Sequence, residues 1–365
     1  MKRTYVVMGL QGSMFEITRL EEQHLEGVST LYLRVIQKQI NDAPPPEKLV
    51  NFMRLLYLEN PEIAPETCSI VALDRGEVVG FYGTFPFSAS LKGHEVTAII
   101  GGPLVVREDF RNRALGFQLL RCLLQMPAAL HLGDSANDVS RKLWLAMKAR
   151  APDFYGQYWI KVLRPTIFYS RKIGERLGIK SNARSDWRKT RPIDVSVVWG
   201  PEYQELYYEL RARHHFLRYP QSKSLTWVLR VVERMQFAAE VVEARDGQGK
   251  LQGWCLLMYD RSGMANVLSY QCRPSFHIFL LRKVFSQAKR VGASAVYGFG
   301  WDAARNQAAL SLGAWLRQRQ SGFVVKSVDT EFLQRLCPTG SEIFCSLEGD
   351  AWLSPGRLFP VVSFS

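Results

Sequence analysis

Leu104-Val105-Val106-Arg107-Glu108-Asp109-Phe110-Arg111-Asn112-Arg113-Ala114-Leu115-Gly116 is the stretch on which the fold turns. Its three aliphatic residues close a β-rich run over 96–106. A polar, basic turn then leads into Leu119, Leu120, Leu123 and Leu124, which share one face of a helix over 114–125. The order is strand, turn, helix. The first amides of such a helix have no partner within it, and its dipole is positive there, so the turn suits an anion such as a diphosphate. Small residues at 114 and 116 let a ligand approach the backbone, and Arg111 and Arg113 add charge-assisted hydrogen bonds.

Outward from this turn, an alternating run over 15–20 precedes a helical pattern over 21–40, stopped at Asn41-Asp42-Ala43-Pro44, and a second helix over 46–58. Runs over 68–73 and 77–87 flank Asp74-Arg75-Gly76 and predict a hairpin. Beyond the helix come a short strand over 128–132, a helix over 139–149 and a strand over 158–163. The second half repeats this plan. The Asp-Gly turn followed by Gly80-Phe81 has a counterpart in Asp246-Gly247 followed by Gly253-Trp254. Asn137, Ser140 and Leu143 are echoed by Asn306, Ala309 and Leu312, and Gly80 and Asn137 precede their counterparts by 173 and 169 residues. Duplication is the simplest account.

The expected division is a first domain over 1–165, a connector over 166–191, a second domain over 192–330 and a tail over 331–365 packed on the core. The connector carries Arg171, Lys172, Arg176, Lys180, Arg184, Arg188, Lys189 and Arg191 against Glu175 and Asp186. A chain of 365 residues, 47% hydrophobic and 22% charged, is long enough for two ordinary cores. No apolar run approaches the roughly 18 residues of a membrane span, and the opening lacks a leader pattern, so a cytoplasmic protein is expected. The six cysteines form no Cys-x-x-Cys pair and read as free thiols. The six histidines make no ligand pattern, so no metal is expected. The net charge of +13 points to an anionic partner without choosing among nucleotide, carrier protein, glycan, membrane and RNA.

Residues 111–116 resemble the acyl-CoA pyrophosphate loop of the GNAT superfamily, whose pattern is Arg or Gln, two residues, Gly, one residue, then Gly or Ala; Ala114 stands where the first Gly is usual. The order of elements around the loop is also the GNAT order. The resemblance implies an α/β fold of two tandem GNAT-like domains, each a mixed, mostly antiparallel twisted sheet flanked by helices. It implies acetyl-CoA or another acyl-CoA as cofactor, held by Leu104, Val105, Val106, Arg111, Asn112, Arg113, Ala114, Leu115, Gly116, Asn137 and Ser140. Asn137 reads equally as a helix cap.

Trp144 occupies the place where many members put a Tyr that protonates the departing thiolate. Ile100-Gly101-Gly102-Pro103 stands where several place a catalytic carboxylate, so neither role carries over. His131, Asp134 and Tyr155 are the catalytic candidates, with Tyr158 a weaker one. His131, between Leu130 and Leu132, also reads as a core residue. In the second half, Tyr270-Gln271-Cys272-Arg273-Pro274-Ser275-Phe276-His277 lacks the paired small residues, so that half is expected to be degenerate and to shape the acceptor site. Gly298-Phe299-Gly300 reads as a strand-to-helix turn rather than a dinucleotide fingerprint.

The resemblance implies acyl transfer to an amine or hydroxyl of a small molecule or glycan, such as an amino sugar in envelope or exopolysaccharide biosynthesis. An acyl carrier protein is a further partner, and nucleic acid is not expected. The alternatives are a FemAB-like aminoacyl transferase using charged tRNA and a non-catalytic tandem binding module.

Overall fold

The computed structural model describes residues 5–8, 14–36, 44–152, 157–176, 200–212, 216–218, 222–234, 238–259, 263–299, 303–318, 322–327, 329–335 and 343–344. Two sheets organise them. The first runs in the order β1 (Tyr5–Met8), β2 (Met14–Arg19), β3 (Ile70–Asp74), β4 (Glu77–Leu91), β5 (His94–Val106), β6 (Leu130–Ala136) and β14 (Gly322–Ser327). The far end of β4 also pairs with β8 (Phe216–Arg218), which carries β15 (Ile343–Phe344). The second sheet runs β13 (Trp315–Gln318), β7 (Gln157–Val162), β12 (Ala295–Phe299), β11 (Met264–Cys272), β10 (Leu251–Tyr259) and β9 (Ala238–Arg245).

Each sheet is mixed for the same reason. Consecutive strands joined by tight turns pair antiparallel, whereas β6 and β12, each reached through a single crossover helix, return parallel to the strand before it. The β3–β4 turn has Arg75 at φ 50° and Gly76 at φ 84°, the positive pair that matches the right-handed strand twist. Helix α3 (Leu115–Leu124) carries the chain from β5 to β6, which pair parallel through Ala98 and Leu130, Ile99 and His131, and Ile100 and Leu132. In the second half, helix α8 (His277–Val291) carries it from β11 to β12, parallel from Met264 and Ala295 to Asn266 and Tyr297. The expected duplication is thus present as topology.

Burial assigns the two faces of the first sheet. Helices α1 (Leu25–Ile36) and α2 (Glu47–Tyr57) cover one face, where Leu31, Phe52 and Leu56 pack with Phe81, Phe85 and Val105. Helix α3 and α4 (Asp138–Ala146) cover the other, where Leu115, Leu119 and Trp144 pack with Val79, Tyr82 and Val106. Helices α5 (Pro165–Arg176), α6 (Pro201–Arg211), α7 (Ser222–Arg234), α9 (Ala303–Ser311) and α10 (Thr330–Arg335) complete the described set. The core on the α1/α2 face continues into the second half through Trp227 of α7, whose indole donates to the Leu55 carbonyl at 2.8 Å.

One feature departs from the expected division. Strand β7, placed by sequence in the first domain, lies in the second sheet, antiparallel between β12 and β13. In return β14 leaves the second half and closes the first sheet beside β6. The first half gives β7, and the second half gives β14 and the short β8, because every extended segment must find backbone partners and a sequence pattern does not specify which sheet supplies them. Gly298 serves this exchange: a Cβ there would lie 2.6 Å from the ring of Trp159 of β7, so its absence lets the crossing strand pack.

Candidate functional site

The turn after β5 is built on Phe110, which is 1% exposed. The guanidinium groups of Arg107 and Arg113 lie over its ring, 4.7 and 4.4 Å from the centroid. Arg107 is committed to holding the turn, pairing with Glu77 and Asp109 at 2.8 Å each. Its hydrogen bonds hold the Asp109 carboxyl below the usual carboxylate range. Arg111 is half exposed, with Glu108 3.5 Å away and its Nε 3.5 Å from the Val106 carbonyl. It is therefore positioned at the turn without being consumed by it.

The turn is a single 3-10 stretch, Glu108–Arg113, ended by Ala114 at φ 58°, ψ 15°. That left-handed residue redirects the chain into α3, whose first bond out of the turn runs from the Gln118 amide to the Ala114 carbonyl at 3.1 Å. The amides of Leu115, Gly116 and Phe117 precede that bond and lie at the positive end of the helix. A Cβ at Gly116 would meet nothing nearer than Leu143 and Val106, each at 3.7 Å, so the packing of this chain does not demand glycine there. The space suits a ligand instead.

Beside the turn, the first sheet opens. Pairing between β5 and β6 stops at Ile100 and Leu132, although β5 continues to Val106 and β6 to Ala136. The Arg107 amide donates to Val79 at 2.9 Å, so by the alternation of an antiparallel ladder Val105 bonds β4, while Leu104 and Val106 turn their backbone groups toward the gap. Such unpaired strand groups can accept an extended, amide-bearing ligand arm as a further strand would be accepted. The gap and the amides at the start of α3 adjoin, so one ligand with a diphosphate and an amide-bearing arm fits both.

The remaining sequence candidates fall in different places. Asn137 is the N-cap of α4, its Oδ1 accepting from the Ser140 amide at 2.9 Å, so these two residues serve each other. His131 is not at the gap. It lies in the paired part of β6, 6% exposed, with its buried Nε2 lacking a hydrogen-bond partner among the described residues, and burial lowers its pKa to about 4. It is a neutral core residue, for the physical reason its apolar neighbours suggest. The backbone of Asp134 lies in the open stretch of β6, while its side chain and all of Tyr155 lie outside the described residues. Tyr158 belongs to β7 and thus to the second sheet.

Tyr82, absent from the sequence reading, lies with Trp144 beside Gly101 and Gly133, where the gap begins. Trp144 of α4 and Tyr82 of β4 are each 1% exposed and belong to the same hydrophobic cluster on the α3/α4 face. On the opposite face Tyr57 of α2 donates to the Gly102 carbonyl at 3.4 Å, beside the Gly102-Pro103 cis peptide. No spacing rule links Tyr82 to Trp144; only the shared sheet face does.

The corresponding turn of the second half is occupied by its own side chains. His277, 3% exposed, opens α8 and stacks on Tyr270 at 5.7 Å, with Nδ1 2.9 Å from the Tyr270 hydroxyl. Arg305 lies over the same Tyr270 ring at 5.0 Å. Among the described residues Cys68, Cys122, Cys255 and Cys272 are free, no group of His, Cys, Asp and Glu is arranged to hold a metal ion, and no helix is long and apolar enough to cross a membrane.

Residues 33–147 match the Acetyltransferase (GNAT) family. No curated protein matches the sequence. Among solved structures, the chain is similar to Saccharomyces cerevisiae N-myristoyltransferase with bound myristoyl-CoA, with 11% identity and a TM-score of 0.53 over 85% of this chain and 78% of that one. It is also similar to a GCN5-related N-acetyltransferase from Anabaena variabilis, at 12% identity and 0.54 over 86% and 73%. A GCN5-related N-acetyltransferase from Kribbella flavida aligns at 14% identity and 0.51 over 86% and 72%. At these identities the likeness is one of fold, and it spans both sheets.

Proposed function

We propose that this chain, which carries a GNAT acetyltransferase domain over residues 33–147 within a tandem two-sheet acyltransferase fold, transfers an acetyl group from acetyl-CoA to an amine or hydroxyl of a polar acceptor. The observation that carries this reading is the junction of the β5–β6 gap with the start of α3. Acyl-CoA is a diphosphate joined to an amide-bearing arm that ends in a thioester, and the two halves of that junction match its two parts. Arg111, Arg113 and the amides of residues 115–117 would hold the diphosphate, and the Leu104 and Val106 backbones the arm. The thioester supplies the activated acyl group. The chain supplies alignment of the acceptor with the thioester and a site from which water is excluded by Tyr57, Tyr82 and Trp144.

The second half, with His277 and Tyr270 filling its own turn, lacks a second cradle and is assigned to the acceptor side. An amino sugar of envelope or exopolysaccharide biosynthesis, free or on a carrier, is the acceptor class we favour; the basic net charge of +13 suits an anionic glycan. A tandem module that binds without catalysis is the second reading, favoured by Trp144 in the place of a hydroxyl donor.

Calorimetry with acetyl-CoA and longer acyl-CoAs, followed by thiol release in the presence of amines and amino sugars, separates these readings. The Arg111→Ala, Arg113→Ala double variant should weaken acetyl-CoA binding by at least about 100-fold, because each charge-assisted contact contributes roughly 1.5–3 kcal/mol. Its melting temperature should barely change. Unaltered affinity removes the site assignment, and binding without turnover on any acceptor moves the second reading ahead.

A further inference from the structure

Alternation along β2 sends Phe15, Ile17 and Arg19 to the α3/α4 face of the first sheet, and strand pairing sets Ile70 of β3 opposite Arg19 on that face. Phe15, Ile17 and Ile70 are buried in the core there. Arg19 is therefore a cation in line with buried hydrocarbon. It borders a cleft of about 480 Å³, the size of a small-molecule site, between the end of β2, the start of β3 and the last turn of α3. Ile17, Ile70 and Met126 give the cleft its apolar floor, and Glu66, from the loop before β3, brings a carboxylate to its rim. Among the described residues Arg19 and Glu66 form an ion pair neither with each other nor with any other side chain.

A guanidinium and a carboxylate that share one apolar floor without meeting match a ligand that carries both charges and a hydrocarbon body. We propose that this cleft binds a free α-amino acid with an apolar side chain, its carboxylate on Arg19, its ammonium at Glu66 and its side chain over Ile17, Ile70 and Met126. The fork of the guanidinium suits a carboxylate, and the negative end of α3, at Gln125 and Met126, favours the ammonium. Cys68 and Cys122 stand in the walls, and burial pushes both thiols up from their ordinary value, so at neutral pH they line the cleft without acting as nucleophiles. Binding is non-covalent. Helix α3 has ten residues, so about 15 Å separates this cleft from the turn at Arg111, and the site does not depend on the acyl-CoA reading.

The test titrates the full chain with L-leucine, L-methionine and L-phenylalanine by calorimetry, and follows iodoacetamide labelling of Cys68 and Cys122 by peptide mass spectrometry. At least one probe should bind with a Kd of about 1 mM or tighter and slow the labelling of both thiols. The same probe without its ammonium, or without its carboxylate, should bind at least about threefold more weakly. Arg19→Gln should weaken binding by at least about tenfold and Glu66→Gln by about threefold, with the melting temperature near that of wild type. Glu66 is exposed in a loop, so its variant is read even where the strand-end variant loses stability. No binding by any probe at millimolar concentration, binding without thiol protection, or an affinity in Arg19→Gln within about twofold of wild type overturns the inference. An acid or amine that binds as tightly as the amino acid overturns it as well, because one charge would then suffice.

Discussion

Ala114→Gly should make the protein more stable, although it removes a methyl group. Ala114 is held at φ 58°, ψ 15°, the left-handed conformation in which Cβ crowds the following carbonyl. For an L-residue this costs roughly 1–2 kcal/mol, and glycine avoids it. Against that gain stand the extra freedom of glycine in the unfolded chain, about 0.4–1 kcal/mol, and the loss of a half-buried methyl, less than about 0.8 kcal/mol. The balance is a gain of about 0.5 kcal/mol. Urea unfolding followed by circular dichroism reads it as a higher midpoint at unchanged slope. Lys148→Gly is the control, since Lys148 sits at φ 63° outside the turn and should show the same sign. Ala114→Val places a β-branched residue in the same conformation and should lose more than about 1 kcal/mol together with CoA affinity. The reasoning fails if Ala114→Gly lowers stability by about 0.5 kcal/mol or more at constant slope, because residue 114 would then not be the left-handed hinge that opens α3.

Gly133→Ala places a Cβ 2.8 Å from Val324 of β14 and should cost about 1–3 kcal/mol in thermal or urea unfolding by overpacking the β6–β14 pair. Gly298→Ala should destabilise to a similar degree through Trp159, yet leave the affinity for acetyl-CoA unchanged in calorimetry, because it acts on the second sheet. His131, with its folded pKa lowered to about 4 from 6.5, refuses a proton that the unfolded chain accepts. Its contribution is therefore complete above the unfolded value and is lost as pH falls from 6.5 toward 4, by at most about 3 kcal/mol. His131→Gln should flatten that acid slope in unfolding curves between about pH 7 and about pH 4.5, and the part that remains includes His24, shifted in the same direction by burial.

What was legible in the sequence was local. The Asp74-Arg75-Gly76 turn, the helix after Ala114 and the cap at Asn137 depend on residues a few positions apart, and each formed within a few residues of expectation. The strand beginning at Leu130 was read to 132 but runs to Ala136, because its outer edge is held by β14, nearly two hundred positions later. The destination of β7 was illegible for the same reason: Gln157–Val162 spells an extended segment, and nothing in it names the sheet it joins. At the candidate site, the turn running into a helix start could be read, since it depends on residues adjacent in sequence. The pair formed by Tyr82 and Trp144 could not, since it arises from two elements that share a sheet face and from two glycines whose meaning depends on register. His131 shows the converse: its flanking leucines already argued for burial, and burial decided its place.

The traded strands make the molecule indivisible at its apparent midpoint. A fragment ending in the basic segment near residue 180 would carry Trp159 with no partner to shield it, and the outer edge of β6 would lie bare from Leu130 to Ala136. Its complement would lack the rib that joins β13 to the rest of its sheet. Each piece alone should be prone to clumping, but the two produced together can clasp through the swapped ribs. That makes this chain a candidate for reconstitution from two separately encoded parts, with recovery of CoA binding as the signal that they have found each other.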